Sequence, residues 1–300
     1  MPRFCKAYGL TIESDIALPE LLETPVDGRS ADITVSRGHV EVPDAAEARQ
    51  ISPFGWVADN AFWLQVPGVA RFRVRDASEI TFDPEPGSDE ASIRVFLLGS
   101  VLGAVLFQRG YLLLHGNAVE VDGACVVCIG PSGAGKSTLA AGFLQRGYRM
   151  LADDVVPIDA DCAAVPGFPR LKIWQDAAEK MAIDTSAQTR VRPDMNKFNL
   201  MTRDNFSEVP LPVRWIYILG SENRDGFDVR PIHGMHRFAP LRENTYRRRL
   251  MEGMALQPEH LKRCGELASK VRLARLVRPK AGFDIDGLVD TILADIKAEG

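Results

Sequence analysis

The chain has 300 residues, 46% of them hydrophobic and 25% charged, which is typical of a globular protein with one large domain or two smaller ones. A formal net charge of -4 excludes a general electrostatic attraction to nucleic acid. Five scattered cysteines, an odd number, argue against a disulfide framework and favour the cytoplasm. The polar, interrupted first 15 residues give no indication of a secretory signal.

The first part of the chain, residues 1–90, is predicted to be a small β-rich domain. Segments 31–42, 61–66, 70–76 and 79–84 carry alternating or β-branched residues and are separated by polar, Pro-containing loops. No group of catalytic side chains is apparent in this region. We therefore expect it to serve docking or assembly.

A second domain, residues 91–300, begins with the apolar run VFLLGSVLGAVLF at residues 95–107. The run is shorter than the ~20 residues that a membrane span requires. It predicts a buried helix, and no membrane is expected as a partner.

A β-hairpin is predicted next. Asp122-Gly123 separates YLLLHGNAVEV from ACVVCIG, and this dipeptide favours the tight turn in which both central residues have positive φ. Cys125 and Cys128 lie in the second arm, without two further ligands nearby, so we interpret them as buried strand residues rather than zinc ligands.

A phosphate-binding loop follows the hairpin, because residues 130–137 fit the pattern G-x-x-x-x-G-K-[ST] between an apolar strand and an apolar helix. Backbone N–H groups of such a loop and the helix N-terminus bind phosphate oxygens. Lys136 is expected to contact the β- and γ-phosphates of ATP, and Ser137 to bind Mg²⁺. The predicted nucleotide-binding residues are Gly130, Pro131, Ser132, Gly133, Ala134, Gly135, Lys136, Ser137 and Thr138.

Asp153 and Asp154 lie in the next strand-like segment, YRMLADDVVPI. One carboxylate is sufficient for a metal ion, so a pair suggests a division of labour, with one acting as base toward an incoming hydroxyl. Strand geometry predicts that the two point to opposite faces. The alternative is a solvated acidic turn.

HGNAVEV, the hairpin, GPSGAGKST and a helix ending in LQRGYRMLADDVV together resemble the core of HPr kinase/phosphorylase, from His115 to about Ile158. The resemblance implies an α/β fold with a P-loop kinase core of the HPr kinase and phosphoenolpyruvate carboxykinase type. It implies that His115 is the active-site histidine and Asp154 the proton acceptor. Asp153 would support the metal or orient its neighbour. From the residues alone, His115 is equally a buried strand histidine.

After Ile158 the sequence departs from that family. A glutamate-containing, glycine-rich signature is replaced by VPGFPRLKIWQDAAEKM, which leaves the family's second metal ligand, HPr as substrate and phosphorylase activity without support. Arg170 and Lys172 either dock substrate or phosphate, or belong to a half-buried strand with Leu171 and Ile173 on its other face.

The overall layout resembles the HPr-kinase-like proteins found with lasso-peptide and related ribosomal-peptide gene clusters. Shared features are a YGLTIESD-type N-terminal domain, the apolar helix and PRLKIW after the aspartates. The resemblance implies phosphorylation of a serine on a precursor peptide. Homo-oligomerisation is also expected.

The C-terminal part is basic. Residues 229–280 hold 13 Lys and Arg against 4 Asp and Glu, including Arg247 and the helically spaced Arg272, Arg275 and Arg278. Such a run is either a solvated face or a surface for ATP phosphates or an acidic peptide, with nucleic acid third because stacking aromatics are sparse. Arg247 is a candidate substrate residue. FDIDGLVDTILADI predicts an amphipathic C-terminal helix.

Three functions are compatible with these residues. The first is an ATP- and Mg²⁺-dependent serine kinase acting on a peptide or small protein. The second is a small-molecule kinase or carboxykinase-like enzyme. The third is a non-catalytic nucleotide sensor. The residues do not distinguish ATP from GTP, and they do not identify the acceptor.

Overall fold

A computed structural model describes residues 3–25 and 30–298, which form a mixed α/β fold. Nine strands build an N-terminal mixed sheet in the order β3-β1-β2-β4-β9-β8-β7-β6-β5. Its strands are β1 (Arg3–Ala7), β2 (Leu10–Ser14), β3 (Leu22–Glu23), β4 (Ile33–Arg37), β5 (Arg49–Ser52), β6 (Gly55–Ala58), β7 (Ala61–Val66), β8 (Ala70–Arg75) and β9 (Glu79–Pro84).

Strands β7 to β9 confirm the predicted segments, whereas the strand predicted over residues 31–42 ends at Arg37. Beyond it the backbone N–H of Val40 donates to the Asp83 carboxylate, so this part of the chain pairs with a side chain instead of a neighbouring strand. Strands β1, β2, β3, β5 and β6 were not predicted.

The apolar run is a continuous helix from Glu90 to Gln108, as predicted. It consists of α1 (Glu90–Phe96), a π-helical segment (Leu97–Val101) and α2 (Leu102–Gln108). The helix is long and apolar enough to cross a membrane, but 72% of its most apolar window is buried inside the protein. It packs against the N-terminal sheet in a core that also includes Phe168 and Tyr246. The two predicted domains therefore share a hydrophobic core.

The second large sheet has the order β10-β14-β15-β19-β12-β11-β13, and β21 pairs with both β19 and β20. Its strands are β10 (Leu112–Leu114), β11 (Gly116–Val121), β12 (Ala124–Ile129), β13 (Met150–Asp153), β14 (Val156–Ile158), β15 (Ala163–Ala164), β19 (Leu211–Glu222), β20 (Asp228–Pro231) and β21 (Arg272–Pro279). A small sheet of β16 (Arg170–Trp174), β18 (Lys197–Met201) and β17 (Thr189–Arg190) lies beside it.

The predicted hairpin is confirmed: β11 and β12 pair antiparallel, and Asp122 and Gly123 have φ of 50° and 72°. Strand β12 also pairs in parallel with β19. Cys125 and Cys128 are fully buried in two different core clusters, on opposite faces of the strand. Their interpretation as strand residues is therefore confirmed.

Helices cover both faces of this sheet. The helices of this part of the chain are α3 (Lys136–Gln145), α4 (Gln175–Lys180), α5 (Phe238–Glu243), α6 (Arg248–Gly253), α7 (Gln257–Lys270) and α8 (Ile285–Ala298), of which α4 contacts β16 of the small sheet and α6 contacts β5 of the N-terminal sheet. One face packs on α3 and α8 and the other on α5 and α7. Helix α8 confirms the predicted C-terminal helix, and its apolar residues, such as Val289 and Ile292, are buried.

The helical interpretation of Arg272, Arg275 and Arg278 is wrong, because all three belong to strand β21. Their spacing of three matches a helix, but Leu273, Leu276 and Val277 are buried on the two faces of a central strand. Pairing with β19 on one side and β20 on the other determines the strand conformation.

Candidate functional site

The glycine-rich loop connects the end of β12 to the start of α3. Gly130 and Gly135 have φ of 148° and 99°, and a Cβ at Gly130 would lie 2.9 Å from the carbonyl oxygen of Leu219. Only glycine fits both the backbone conformation and the close approach of β19. The loop therefore has the strand–loop–helix context that a phosphate-binding loop requires.

The Lys136 side chain folds back onto this loop. Its ammonium donates to the carbonyl oxygens of Gly130 and Pro131, at 2.8 and 3.1 Å. Burial lowers the pKa of Lys136. The buried Asn117 of β11 donates its amide to the Lys136 carbonyl oxygen and ties the hairpin to the first turn of α3.

Asp153 ends β13 beside the loop. Its Oδ1 accepts from the Ser137 hydroxyl at 3.4 Å, and its Oδ2 accepts from the backbone N–H of Lys172 at 2.9 Å. Burial, together with the charge of Asp154, raises the pKa of Asp153. The hydroxyl and carboxylate oxygens here are the donor type that Mg²⁺ prefers, so this pair fits the predicted metal position.

Asp154 follows the strand instead of belonging to it. Its φ of 73° is left-handed, which turns its carboxylate to the same site as Asp153. The prediction that the two carboxylates point to opposite faces is therefore wrong, because strand alternation stops at Asp153.

The Asp154 carboxylate has two cationic or titratable neighbours. Lys172 Nζ lies 2.9 Å from Oδ2, and His115 Nδ1 lies 3.4 Å from Oδ1. Burial by itself would raise the pKa of Asp154, but the ammonium of Lys172 outweighs it and holds that pKa well below its usual range. Asp154 is thus an ionised carboxylate at neutral pH.

His115 lies between β10 and β11, and its ring is partly exposed. Its backbone N–H donates to the Asn244 carbonyl oxygen, and Nδ1 lies 3.0 Å from the Asp154 carbonyl oxygen as well. The ring centroid of Tyr246 is 6.1 Å from that of His115. The His115 ring thus contacts both the backbone and the carboxylate of Asp154. Because the ring is partly exposed and lies between two strands, it is not the buried strand histidine that the residues alone allowed.

Arg247 is exposed and lies farther out. Its guanidinium is 5.7 Å from the ring centroid of Tyr246, and that ring lies in turn 6.1 Å from the His115 ring. Its role as a substrate residue stays a prediction.

Strand β16 confirms that PRLKIW is a strand, but residues 170–173 are buried on both faces and not half-buried. Leu171 and Ile173 are fully buried, while Arg170 and Lys172 are 5% and 8% exposed. The face with Arg170 and Lys172 is buried because it packs against the carboxylates and against Phe168, whose ring centroid lies 4.7 Å from the Arg170 guanidinium.

Two further cations near the loop were not singled out as site residues from the sequence. The positive charge of Lys197, on β18, favours the ionised forms of both Asp153 and Asp154, and its ammonium lies 5.5 Å above the ring of Trp174. A Cβ at Gly135 would lie 4.0 Å from Nε of Arg278, the last arginine of β21. In the sequence, Arg278 stands out only as part of a basic run. Nothing in the sequence marks Lys197 as a site residue, because sheet pairing alone brings it to the site.

One family model covers the candidate site. Residues 110–168 match the family model of the HPr Serine kinase C-terminal domain. That segment contains the hairpin, the loop, α3 and both aspartates. No match to a curated protein is found. A solved structure of the Hpr(Ser) kinase/phosphatase from Coxiella burnetii aligns over 62% of this chain and 91% of its own, with 12% identity and a TM-score of 0.34.

Proposed function

We propose that the protein is an ATP- and Mg²⁺-dependent kinase that transfers the γ-phosphate to a serine of a peptide or small protein. The observation that carries this proposal is the position of two carboxylates beside one phosphate loop. Asp153 contacts Ser137, and Asp154 is held next to it by Lys172 and His115. The match to the HPr Serine kinase C-terminal domain over the same segment supports a phosphotransferase.

The residues of the loop suit a nucleotide with Mg²⁺. Backbone N–H groups of the loop and the Lys136 ammonium would bind the phosphates, while Ser137 and Asp153 would hold the ion. Among the described residues, no three His, Cys, Asp or Glu side chains form a metal-binding group. A pair of protein oxygens still fits Mg²⁺, which is usually held by one or two carboxylates together with phosphates and water. The ion, when bound, would neutralise phosphate charge.

Asp154 would act as the general base. Its carboxylate would take the proton of the acceptor hydroxyl while that oxygen forms the new bond to the γ-phosphorus and the bond to the departing ADP breaks. At 30% side-chain exposure, Asp154 is open to an incoming group, whereas Lys172, at 10%, is not. Lys172 would keep the base ionised before the acceptor arrives.

A peptide acceptor is favoured by the surface that continues from the site. On the face of the small sheet that carries Lys172, Trp174 is 49% and Met201 is 40% exposed. Exposed aromatic and methionine side chains beside cations are typical of polypeptide-binding surfaces. Together with the layout that resembles the HPr-kinase-like proteins of lasso-peptide clusters, this leads us to propose a ribosomal precursor peptide as acceptor.

The test is transfer of labelled γ-phosphate from ATP, with Mg²⁺, to serine-containing precursor peptides encoded beside the gene and to HPr, followed by mass spectrometry. We expect phosphate on a peptide serine, lost in Lys136→Ala. Label on HPr would instead assign a regulatory kinase of the HPr type. ATP binding without any labelled polypeptide would refute the proposal and favour a small-molecule enzyme or a nucleotide sensor.

A further inference from the structure

The side chain of Arg170 is a buried cation that the chemistry described above does not use. Only 5% of the residue is exposed. Its Nε has no hydrogen-bond partner, and within the part of the chain that the structure describes the guanidinium forms no ion pair. A buried charge without a counter-charge is costly, and a ligand that supplies the opposite charge removes that cost. Arg170 is therefore a candidate receptor for an anion.

The groups around the Arg170 guanidinium are aromatic and not acidic. The ring centroid of Phe168 lies 4.7 Å from it, and the Phe168 ring packs edge-on against Tyr8, with centroids 5.9 Å apart. The carboxylate of Asp154 is held by other groups, because Lys172 lies 2.9 Å and His115 Nδ1 lies 3.4 Å from its oxygens. The protein thus leaves the charge of Arg170 unmatched in a place where aromatic rings exclude water.

A second unsatisfied group lies on the same face of the small sheet. Asn199 of β18 pairs directly with Lys172 of β16 and is 7% exposed. Its amide nitrogen lies 3.5 Å from the Thr189 hydroxyl and from the Arg190 carbonyl oxygen, whereas its side-chain oxygen has no partner. Buried polar groups are normally hydrogen-bonded. An unpaired acceptor beside an unpaired cation suits a polypeptide, which offers both backbone N–H groups and carboxylates.

Strand geometry places these groups in line with the proposed base. Arg170 and Lys172 lie two residues apart on one face of β16, which corresponds to about 6.6 Å along a strand, and Lys172 contacts Asp154. An extended peptide has the same spacing between alternate side chains. A peptide whose serine reaches Asp154 therefore brings the side chain two residues from that serine to Arg170. Met201, which pairs with Arg170, is 40% exposed, so this end of the face reaches solvent.

We infer that Arg170 binds a side-chain carboxylate of the acceptor peptide, from an Asp or Glu two residues away from the phosphorylated serine. A guanidinium can donate two parallel N–H groups to one carboxylate, which gives both charge and direction to the contact. Asn199 accepts a hydrogen bond from a backbone N–H of the same peptide. This inference rests on the proposed function and names the class of peptide that the site selects, one with an acidic residue near the serine.

The experiment measures peptide binding by fluorescence anisotropy in the absence of nucleotide. The probes are two labelled, C-terminally amidated peptides with a single serine, one with Asp and one with Asn at the positions two residues before and after it. Wild-type protein should bind the Asp peptide at least about ten-fold more tightly, because hydrogen bonds to charged groups are among the strongest. Arg170→Met should abolish this preference. Arg170→Lys should retain part of it, since the charge persists without the paired N–H groups.

Met201→Glu tests the same contact without removing a buried side chain. It places a carboxylate on an exposed residue opposite Arg170, where facing Cβ atoms lie about 4.5–5.5 Å apart, and should abolish the preference by competing with the peptide. Met201→Gln has a similar shape without the charge and should retain the preference. Arg71→Met is the control for loss of an arginine. The Nε of Arg71 is likewise buried without a partner, but Arg71 lies in β8 of the N-terminal sheet, so its loss should leave the preference unchanged.

Equal affinity of wild-type protein for the two peptides, or binding of neither, would overturn the inference, as would a preference that survives in both Arg170→Met and Met201→Glu. Weaker ATP binding in Arg170→Met with an unchanged peptide preference would also overturn it and assign Arg170 to the nucleotide phosphates.

These outcomes are distinct from failure of the kinase proposal. A preference for the Asp peptide that is lost in Arg170→Met, without phosphate transfer to any acceptor, would refute the kinase and support the carboxylate site. Transfer to serine with equal kcat/KM for the two peptides would support the kinase and contradict the carboxylate site.

Discussion

The ammonium of Lys172 lies 2.9 Å from the carboxylate of Asp154, and the Lys172 side chain is largely shielded from water. Lys172 also donates its backbone N–H to Asp153 at 2.9 Å. One residue of β16 thus positions both carboxylates of the candidate site. Removal of one member of a buried ion pair leaves the other charge uncompensated, so this contact links the small sheet to the chemistry.

We expect Asp154→Asn to lower kcat by at least about 100-fold, because a positioned general base contributes about 10²–10⁴-fold. Asparagine tolerates the left-handed backbone at this position, where φ is 73°, so the local fold should persist. Nucleotide affinity should be retained. Steady-state transfer rates give kcat, and calorimetry gives the nucleotide affinity.

Asp161→Asn, at an exposed aspartate in the turn between β14 and β15, is the control for this substitution and should leave kcat unchanged. A wild-type kcat in Asp154→Asn would show that Asp154 is not the general base.

Lys172→Met should shift the acidic limb of the kcat/KM profile to higher pH. The Lys172 ammonium stabilises the ionised form of Asp154 and keeps its pKa low, so its removal raises that pKa and protonates the base at a higher pH. Lys172→Arg retains the positive charge and should keep the limb near its original position. Superimposable profiles for wild type and Lys172→Met would show that Lys172 does not control ionisation of the base.

Ser137→Ala should raise the Mg²⁺ concentration needed for half-maximal activity. The Ser137 hydroxyl lies 3.4 Å from Asp153, and its loss removes one of the two proposed oxygen ligands. Ser269→Ala removes an exposed hydroxyl from α7 and is the control. Titration of activity with Mg²⁺ at saturating ATP checks this, and equal Mg²⁺ requirements in the two variants would contradict a ligand role for Ser137.

Gly116→Ala should destabilise the hairpin that precedes the loop. A Cβ at Gly116 would collide with the backbone carbonyl of Cys128 in the paired strand, and such overpacking costs about 1–3 kcal/mol of unfolding free energy. Gly265→Ala is the control, since its Cβ would meet nothing within 4 Å and Ala in a helix interior is about 0.5–1 kcal/mol better than Gly. The midpoint of thermal unfolding should therefore fall in Gly116→Ala and rise in Gly265→Ala. A Gly116→Ala variant as stable as wild type would show that β11 and β12 can move apart at Gly116 without a cost in unfolding free energy.

The expectations that rest on residues close together in the sequence are confirmed by the structure. The Asp122-Gly123 turn, the apolar helix from residue 90 and the amphipathic C-terminal helix each follow from local backbone preference or periodicity. The helical interpretation of Arg272 to Arg278 is wrong for the opposite reason, because pairing with two neighbouring strands outweighs a three-residue spacing. The left-handed backbone of Asp154 was likewise not visible in a strand-like sequence.

The sequence by itself determined the glycine-rich loop, the hairpin before it and the two aspartates after it, since these features lie within a few residues of one another and depend on φ preferences and short spacing. Only the tertiary structure decided which cations meet them. Lys172, Lys197 and Arg278 are brought to the loop by β16, β18 and β21, strands that are distant in the chain. Their positions follow from sheet order and from the packing of α4 and α8 around the loop, and these depend on burial of apolar surface across the whole chain.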